Sequence, residues 1–110
     1  MTARLTTDFW ISAYRRRLQL FEIPAFVTNK GDAVAGAILI KLNTLDGMAK
    51  LFHRTFDENF NRQWTLFLEG KGIEINETII EQIKFDSDLW VLEVEDRNGR
   101  HLLDDKSLNV

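Results

Sequence analysis

Arg17 is the side chain whose placement most asks for a chemical explanation. Projected at about 100° per residue, the segment from about Asp8 to Glu22 puts Trp10, Ile11, Tyr14, Leu18 and Phe21 on one arc, and Arg17 falls inside it beside Trp10. A guanidinium on an apolar face is costly unless it is paired or its aliphatic stem lies along the core while the head reaches water. Glu93 and Glu95, on a late strand, are the acidic residues that the pattern offers as partners. A structural ion pair is the simpler reading. The functional alternative is a small anionic-ligand site where Arg17, Trp10, Trp90 and Glu93 converge, using the planar fork of arginine.

Other reactive residues lack the spacing that chemistry needs. His53 and His101 are the only histidines, and neither has a second ligand at helical or alternate-strand distance apart from acids near His101. Pairing of His101 with Glu95 across a hairpin is the plainer role. Asp86, Asp88, Glu93, Glu95, Asp96, Asp104 and Asp105 are acidic but follow no cation-loop spacing, so Asp86 and Asp88 read as turn and cap residues. Arg15, Arg16 and Arg17 with Lys50, Arg54 and Arg62 are the best case for nucleic acid. The negative net charge opposes it, and so does the absence of an RNA-binding aromatic motif. Gly70-Lys71-Gly72 is too short for a phosphate loop, and Ser12, Ser87 and Ser107 sit in no nucleophile motif. No catalytic residue, metal or cofactor is implied.

The stretch from Ala35 to Glu69 must position whatever site exists. It holds three β-like runs joined by two turns. Asp46-Gly47 is a strong hairpin signal, and a loop over Leu45 to Gly47 pairs Thr44 with Met48 and Ile40 with Phe52. A second loop over Asp57 to Asn59 pairs Phe56 with Phe60, Phe52 with Trp64 and Met48 with Leu68. These registers give one oily face, with Ile38, Ile40, Leu42, Phe52, Trp64 and Leu68 among its members. The other face is mixed, carrying Lys41, His53 and Thr65 with Leu39, Leu51 and Phe67.

Around the meander, Thr7 or Asp8 caps the first helix and Pro24 ends it. A short strand follows over Pro24 to Lys30. Asn76 caps a second helix over Glu77 to about Phe85, with Ile79, Ile80 and Ile83 inward and Ile75 stapled to Ile80. Leu89 to Asp96 is a strand, and Asn98-Gly99 folds Arg100 to Leu103 back on it. Met1 to Thr7 is a lead-in, and residues 104–110 are a loose tail. The expected fold is α+β: a mostly antiparallel sheet built on the central three-stranded meander, with two helices packed on one face.

A chain of 110 residues fits a single domain, and 45% hydrophobic content with one Pro argues against disorder. The absence of Cys excludes disulfides and thiol catalysis and fits a reducing compartment. No apolar run approaches the roughly 20 residues of a membrane span, and no secretion signal is visible. The net charge of −3 gives no general pull toward nucleic acid or anionic membrane.

Several segments together resemble a known family. They are Phe9 to Ala13 with Arg16-Arg17, Gly31-Asp32 leading to Ala35 to Lys41, Leu45-Asp46-Gly47, and Asp88 to Arg97 closing with Gly99-Arg100. The chain is similar over nearly its whole length to domain-of-unknown-function family 1491, found mainly in alphaproteobacteria. The resemblance implies a stand-alone, cytoplasmic bacterial protein of one domain and carries over no functional residue.

The reading that fits best is a non-catalytic binding or interaction domain. Three Trp and eight Phe exceed what one small core readily hides, so an exposed aromatic patch is expected to meet a protein partner or a second copy in a homodimer.

Overall fold

Residues 5–108 are described in the computed structural model of the chain. The elements run α1 (Thr7–Leu20), β1 (Ala25–Asn29), β2 (Ile38–Asn43), β3 (Met48–Phe56), β4 (Arg62–Lys71), α2 (Gly72–Phe85), β5 (Trp90–Glu95) and a 3-10 turn at Lys106–Leu108. The strands form one sheet in the order β1-β5-β2-β3-β4. Neighbours are antiparallel except β2 and β5, which are parallel. The architecture is the expected α+β, with β2, β3 and β4 as the central meander.

The helices do not share a face. Trp10, Ile11, Tyr14 and Leu18 of α1 pack with Ile38, Ile40 and Leu42 of β2 and Trp90, Leu92 and Val94 of β5. Ile75 and Ile79 of α2 pack with Leu39, Ala49, Leu51 and Val91. Alternate residues of β2 and β5 thus enter two different cores, on opposite sides of the sheet. The physical reason is the run Ile38-Leu39-Ile40-Lys41-Leu42, buried at every position. A strand apolar on both sides needs cover on both.

The first hairpin has the expected register, with Thr44 N–H donating to the Met48 carbonyl and Ile40 opposite Phe52. Gly47 makes the turn possible with φ of 86°. The second register is corrected. Phe56 pairs with Arg62, not Phe60, and Phe52 pairs with Leu66. The loop is longer because Asp57 organises it: its carboxylate accepts from the N–H groups of both Asn59 and Asn61. Phe67 is then skipped in a bulge, so Leu68 pairs with Leu51 and moves to the α2 face.

Three further expectations change. Arg100 to Leu103 forms no strand, because β1 and β2 already occupy both edges of β5. α2 starts at Gly72, immediately after β4, so Asn76 lies inside it and Ile80 stays exposed. The tail is held where it is described: Leu108 is buried, and its carbonyl accepts the Trp10 indole N–H at 2.7 Å. Residues 109–110 and the first four residues of the lead-in lie outside the described part.

α1 ends in a Schellman arrangement. Glu22 N–H donates to the Gln19 carbonyl and Ile23 N–H to the Leu18 carbonyl. Glu22 sits at φ of 58°, where a Cβ is unfavourable. Glu22→Gly should therefore raise stability by about 1 kcal/mol, read as a higher urea midpoint with an unchanged slope.

Gly31 serves a different need. A Cβ there would lie 2.0 Å from the Asp88 carbonyl oxygen. Only glycine lets this loop press against the start of β5, where Asp32 N–H donates to the same carbonyl at 2.9 Å.

Candidate functional site

The most enclosed charged side chain among the described residues is Lys41. Its place at the middle of β2 follows from alternation, since Ile40 and Leu42 face α1 and Lys41 faces α2. β5 runs parallel beside it and sets Glu93 directly across. α2 lies over this region and supplies Asn76 from its second turn. Lys41 is only 6% exposed. Its ammonium donates to Asn76 Oδ1 at 2.8 Å and to Glu93 Oε1 at 3.1 Å. Asn43 donates to Glu93 Oε2 at 3.2 Å. A buried charge of this kind is tolerated when it is paired and hydrogen-bonded. The group lines a cavity of about 330 Å³ together with Ile79, Ile80 and Ile83 of α2 and Thr28 and Asn29 of β1. Sequence reading noted Lys41 only as a mixed-face residue. The signal was available: one Lys inside an otherwise apolar five-residue run.

The residues expected to converge around Arg17 are divided by the sheet. Arg17 pairs with Asp105, Nη2 at 2.7 Å and Nε at 2.9 Å from Oδ2, and not with Glu93 or Glu95. The tail had been read as loose, so its acids were not considered as partners. Asp105 is held below the usual carboxylate range first by the Ser107 hydroxyl and backbone, and then by Arg17. Trp10 and Trp90 share the core on the α1 face, and the Trp90 indole donates to the Asp32 carbonyl at 2.7 Å. Glu93 faces the other way, toward Lys41. Trp10 is itself the centre of an aromatic stack, with Tyr14 at 4.9 Å and Trp64 at 5.2 Å, and the Arg54 guanidinium lies 5.4 Å from its ring. The Tyr14 phenol, buried and donating to the His101 carbonyl, is pushed up by burial.

The histidines also lie on opposite faces. His53 stacks on Phe67 at 4.9 Å, and His101 packs on Phe52 at 4.8 Å. Phe52 and His53 are successive residues of β3, so their side chains point to opposite sides. His101 does not pair with Glu95. Instead its Nδ1 accepts from the Leu103 N–H at 2.9 Å, fixing the segment that covers α1. Asp96 similarly organises the preceding turn. It accepts from the Arg100 N–H, Nε and Nη2, and the Arg100 side chain is the main cause of its lowered pKa. Asp86 accepts from the Asp88 N–H, which is the turn role expected of it.

His101 gives a pH dependence of defined sign. Burial lowers its pKa most, nearby Lys50 lowers it further, and Asp104 opposes both. As pH falls below about 6.5 the unfolded chain takes up this proton before the folded one. Stability contributed at neutral pH is therefore lost as pH drops through and below that value. Urea unfolding should show a midpoint that falls as the pH drops below about 6.5, and His101→Gln should flatten that slope. An unchanged slope in the variant would assign the dependence to other groups.

Large apolar side chains remain exposed along β4 and the β3–β4 turn. They include Phe56, Phe60, Leu66, Phe67 and Leu68. β4 is ten residues long and, among the described residues, pairs only with β3, which makes it an edge strand of the sheet. No helix among the described residues is long and apolar enough to cross a membrane.

Comparison with known proteins places this geometry. A family model described as "Protein of unknown function (DUF1491)" matches residues 5–104. A crystal structure of a DUF1491 family protein from Caulobacter crescentus CB15 is similar at 36% identity and a TM-score of 0.84, covering 92% of this chain and 96% of that one. An NMR structure of a DUF1491 family protein from the same organism matches at 35% identity and a TM-score of 0.80, over 94% and 96% of the two chains. The solution structure of protein Atu0922 from A. tumefaciens matches at 31% identity and a TM-score of 0.77, over 92% and 93%. A search of curated proteins gave no significant match. With the family model spanning both helices and all five strands, and three solved structures agreeing in sequence and fold, the chain belongs to the DUF1491 family of bacterial proteins.

Proposed function

We propose that this protein is a non-catalytic interaction domain of the bacterial cytoplasm that associates with a second copy of itself along β4. The observation that carries the reading is the free ten-residue edge with Leu66, Phe67 and Leu68 exposed. Such an edge presents unpaired backbone donors and acceptors, and monomeric proteins ordinarily blunt it with charge, Pro or cover. An antiparallel copy about a two-fold axis suits this strand. A register that sets Arg62 opposite Glu69 of the copy brings Trp64 opposite Phe67 and Thr65 opposite Leu66, with the two-fold axis between Thr65 and Leu66. Arg62 opposes Phe56, and Glu69 opposes Lys50, which places both on the α1 side of the sheet.

Sedimentation velocity over a wide concentration range tests this. The expected result is a monomer–dimer equilibrium with a Kd of about 1–100 μM. Phe67→Lys should abolish the dimer while lowering the Tm by no more than about 5 °C, because the site is exposed and its loss is chiefly the stacking on His53. A wild-type chain that stays monomeric throughout, or a variant that dimerises equally, rejects the reading.

A further inference from the structure

We infer that the cavity beside Lys41 is a binding site for a small, uncharged aliphatic amide. The reasoning does not depend on self-association, because this cavity lies under α2 beside β1 and β5, away from the β4 edge.

The first step is a count of donors. An ammonium has three N–H groups. Asn76 and Glu93 accept two of those on Lys41, and among the described residues no acceptor takes the third. Lys41 also lines the cavity, so its remaining N–H capacity is open to a group bound there. A buried donor of this kind is costly to leave unmade. Glu93 has spare capacity too. Its two oxygens accept one hydrogen bond each, from Lys41 and Asn43, and a carboxylate offers about four lone-pair sites. The cavity lining therefore offers spare donor capacity on Lys41 beside spare acceptor capacity on Glu93.

The second step is charge. Lys41 and Glu93 are the only charged residues lining the cavity, and they cancel. A carboxylate ligand would reach Lys41 only by approaching Glu93. An amine would reach Glu93 only by approaching Lys41. Each would add an uncompensated charge beside a pair that already cancels. A neutral group that both accepts and donates avoids this. An amide does so, with its carbonyl oxygen taking the third Lys41 N–H and its own N–H donating to Glu93.

The third step is shape. The volume of about 330 Å³ lies at the small end of ligand pockets. The apolar part of the lining is aliphatic, formed by Ile79, Ile80 and Ile83. A short branched hydrocarbon body fits it, with no aromatic ring available for stacking.

Isovaleramide is a suitable probe, with isovalerate and isopentylamine as charged counterparts of the same skeleton. Titrations followed by two-dimensional amide NMR should show saturable shifts at Thr28, Asn29, Asn76 and Glu93 with the amide, at concentrations up to about 20 mM. Each charged counterpart should bind at least about tenfold more weakly. Ile80→Glu, at a site 55% exposed, keeps the fold and the buried pair but puts a charge on the apolar wall. It should remove the shifts while the rest of the spectrum is retained. No shifts with isovaleramide would overturn the inference. So would equal or tighter binding of either charged counterpart, or undiminished binding by Ile80→Glu.

Discussion

Trp10→Ala should destabilise the protein by about 4 kcal/mol, a large share of the 5–15 kcal/mol that a domain typically has. Trp10 is 1% exposed. Its removal empties the middle of the α1 core, where it touches Tyr14 and Trp64, and leaves the Leu108 carbonyl without its donor. Those losses act together, because the indole links α1, the meander and the final turn. Equilibrium urea unfolding followed by far-UV circular dichroism checks the magnitude. Trp10→Phe separates the two contributions: it keeps most of the ring volume but not the hydrogen bond, and it should cost about 2 kcal/mol. If alanine costs under about 1 kcal/mol, Trp10 is not the keystone of this core.

Glu93→Ala should cost about 3 kcal/mol, although Glu93 itself is not fully buried. The cost arises at Lys41, whose ammonium would keep a single acceptor, Asn76, in a nearly dry place. The double substitution Lys41→Met with Glu93→Leu should behave differently. It removes both charges and fills the space with apolar volume, so stability should return to within about 1 kcal/mol of the parent or exceed it. The comparison is made by urea unfolding of the parent, the single variants and the double variant as one cycle. A recovered double variant would mean that the pair is not retained for stability. A double variant as weak as the single ones would make the pair a structural necessity.

Much of the fold was legible because local signals agreed with the global answer. Asp46-Gly47 fixed the first hairpin to the residue, and Pro24 marked the junction of α1 and β1 within a few positions. The failures share a cause: distant chain segments overrode local preference. Asn98-Gly99 makes the turn it promises, but β5 has no vacant edge for Arg100 to Leu103. Asn76 is a good capping residue, yet it is drawn inside α2, where Lys41 holds its side chain. Asp57 lengthened the second hairpin by accepting hydrogen bonds that no spacing rule announces. For the site, Arg17 was rightly noticed but wrongly partnered. Asp105 lies 88 residues away in a segment read as loose. The sheet itself separates His53 from His101, and Glu93 from Trp10 and Trp90, because successive residues of a strand reach opposite sides.

The placement of β5 has a consequence for how the chain becomes a fold. β1 and β2 are early in sequence and do not touch each other as strands; β5, the last strand, enters the gap between them and pairs with both. A ribosome releasing this chain exposes α1, β1 and the entire meander before the strand that joins them exists. Until residue 95 emerges, the apolar residues of β2 on its open side have no neighbour, and Pro24 to Asn29 has nothing to align with. Closure is therefore a late, non-local event, of the kind that folds slowly and leaves an unpaired edge exposed while it waits. Truncation ahead of Leu89 removes the joint on which both halves close, rather than a terminal ornament.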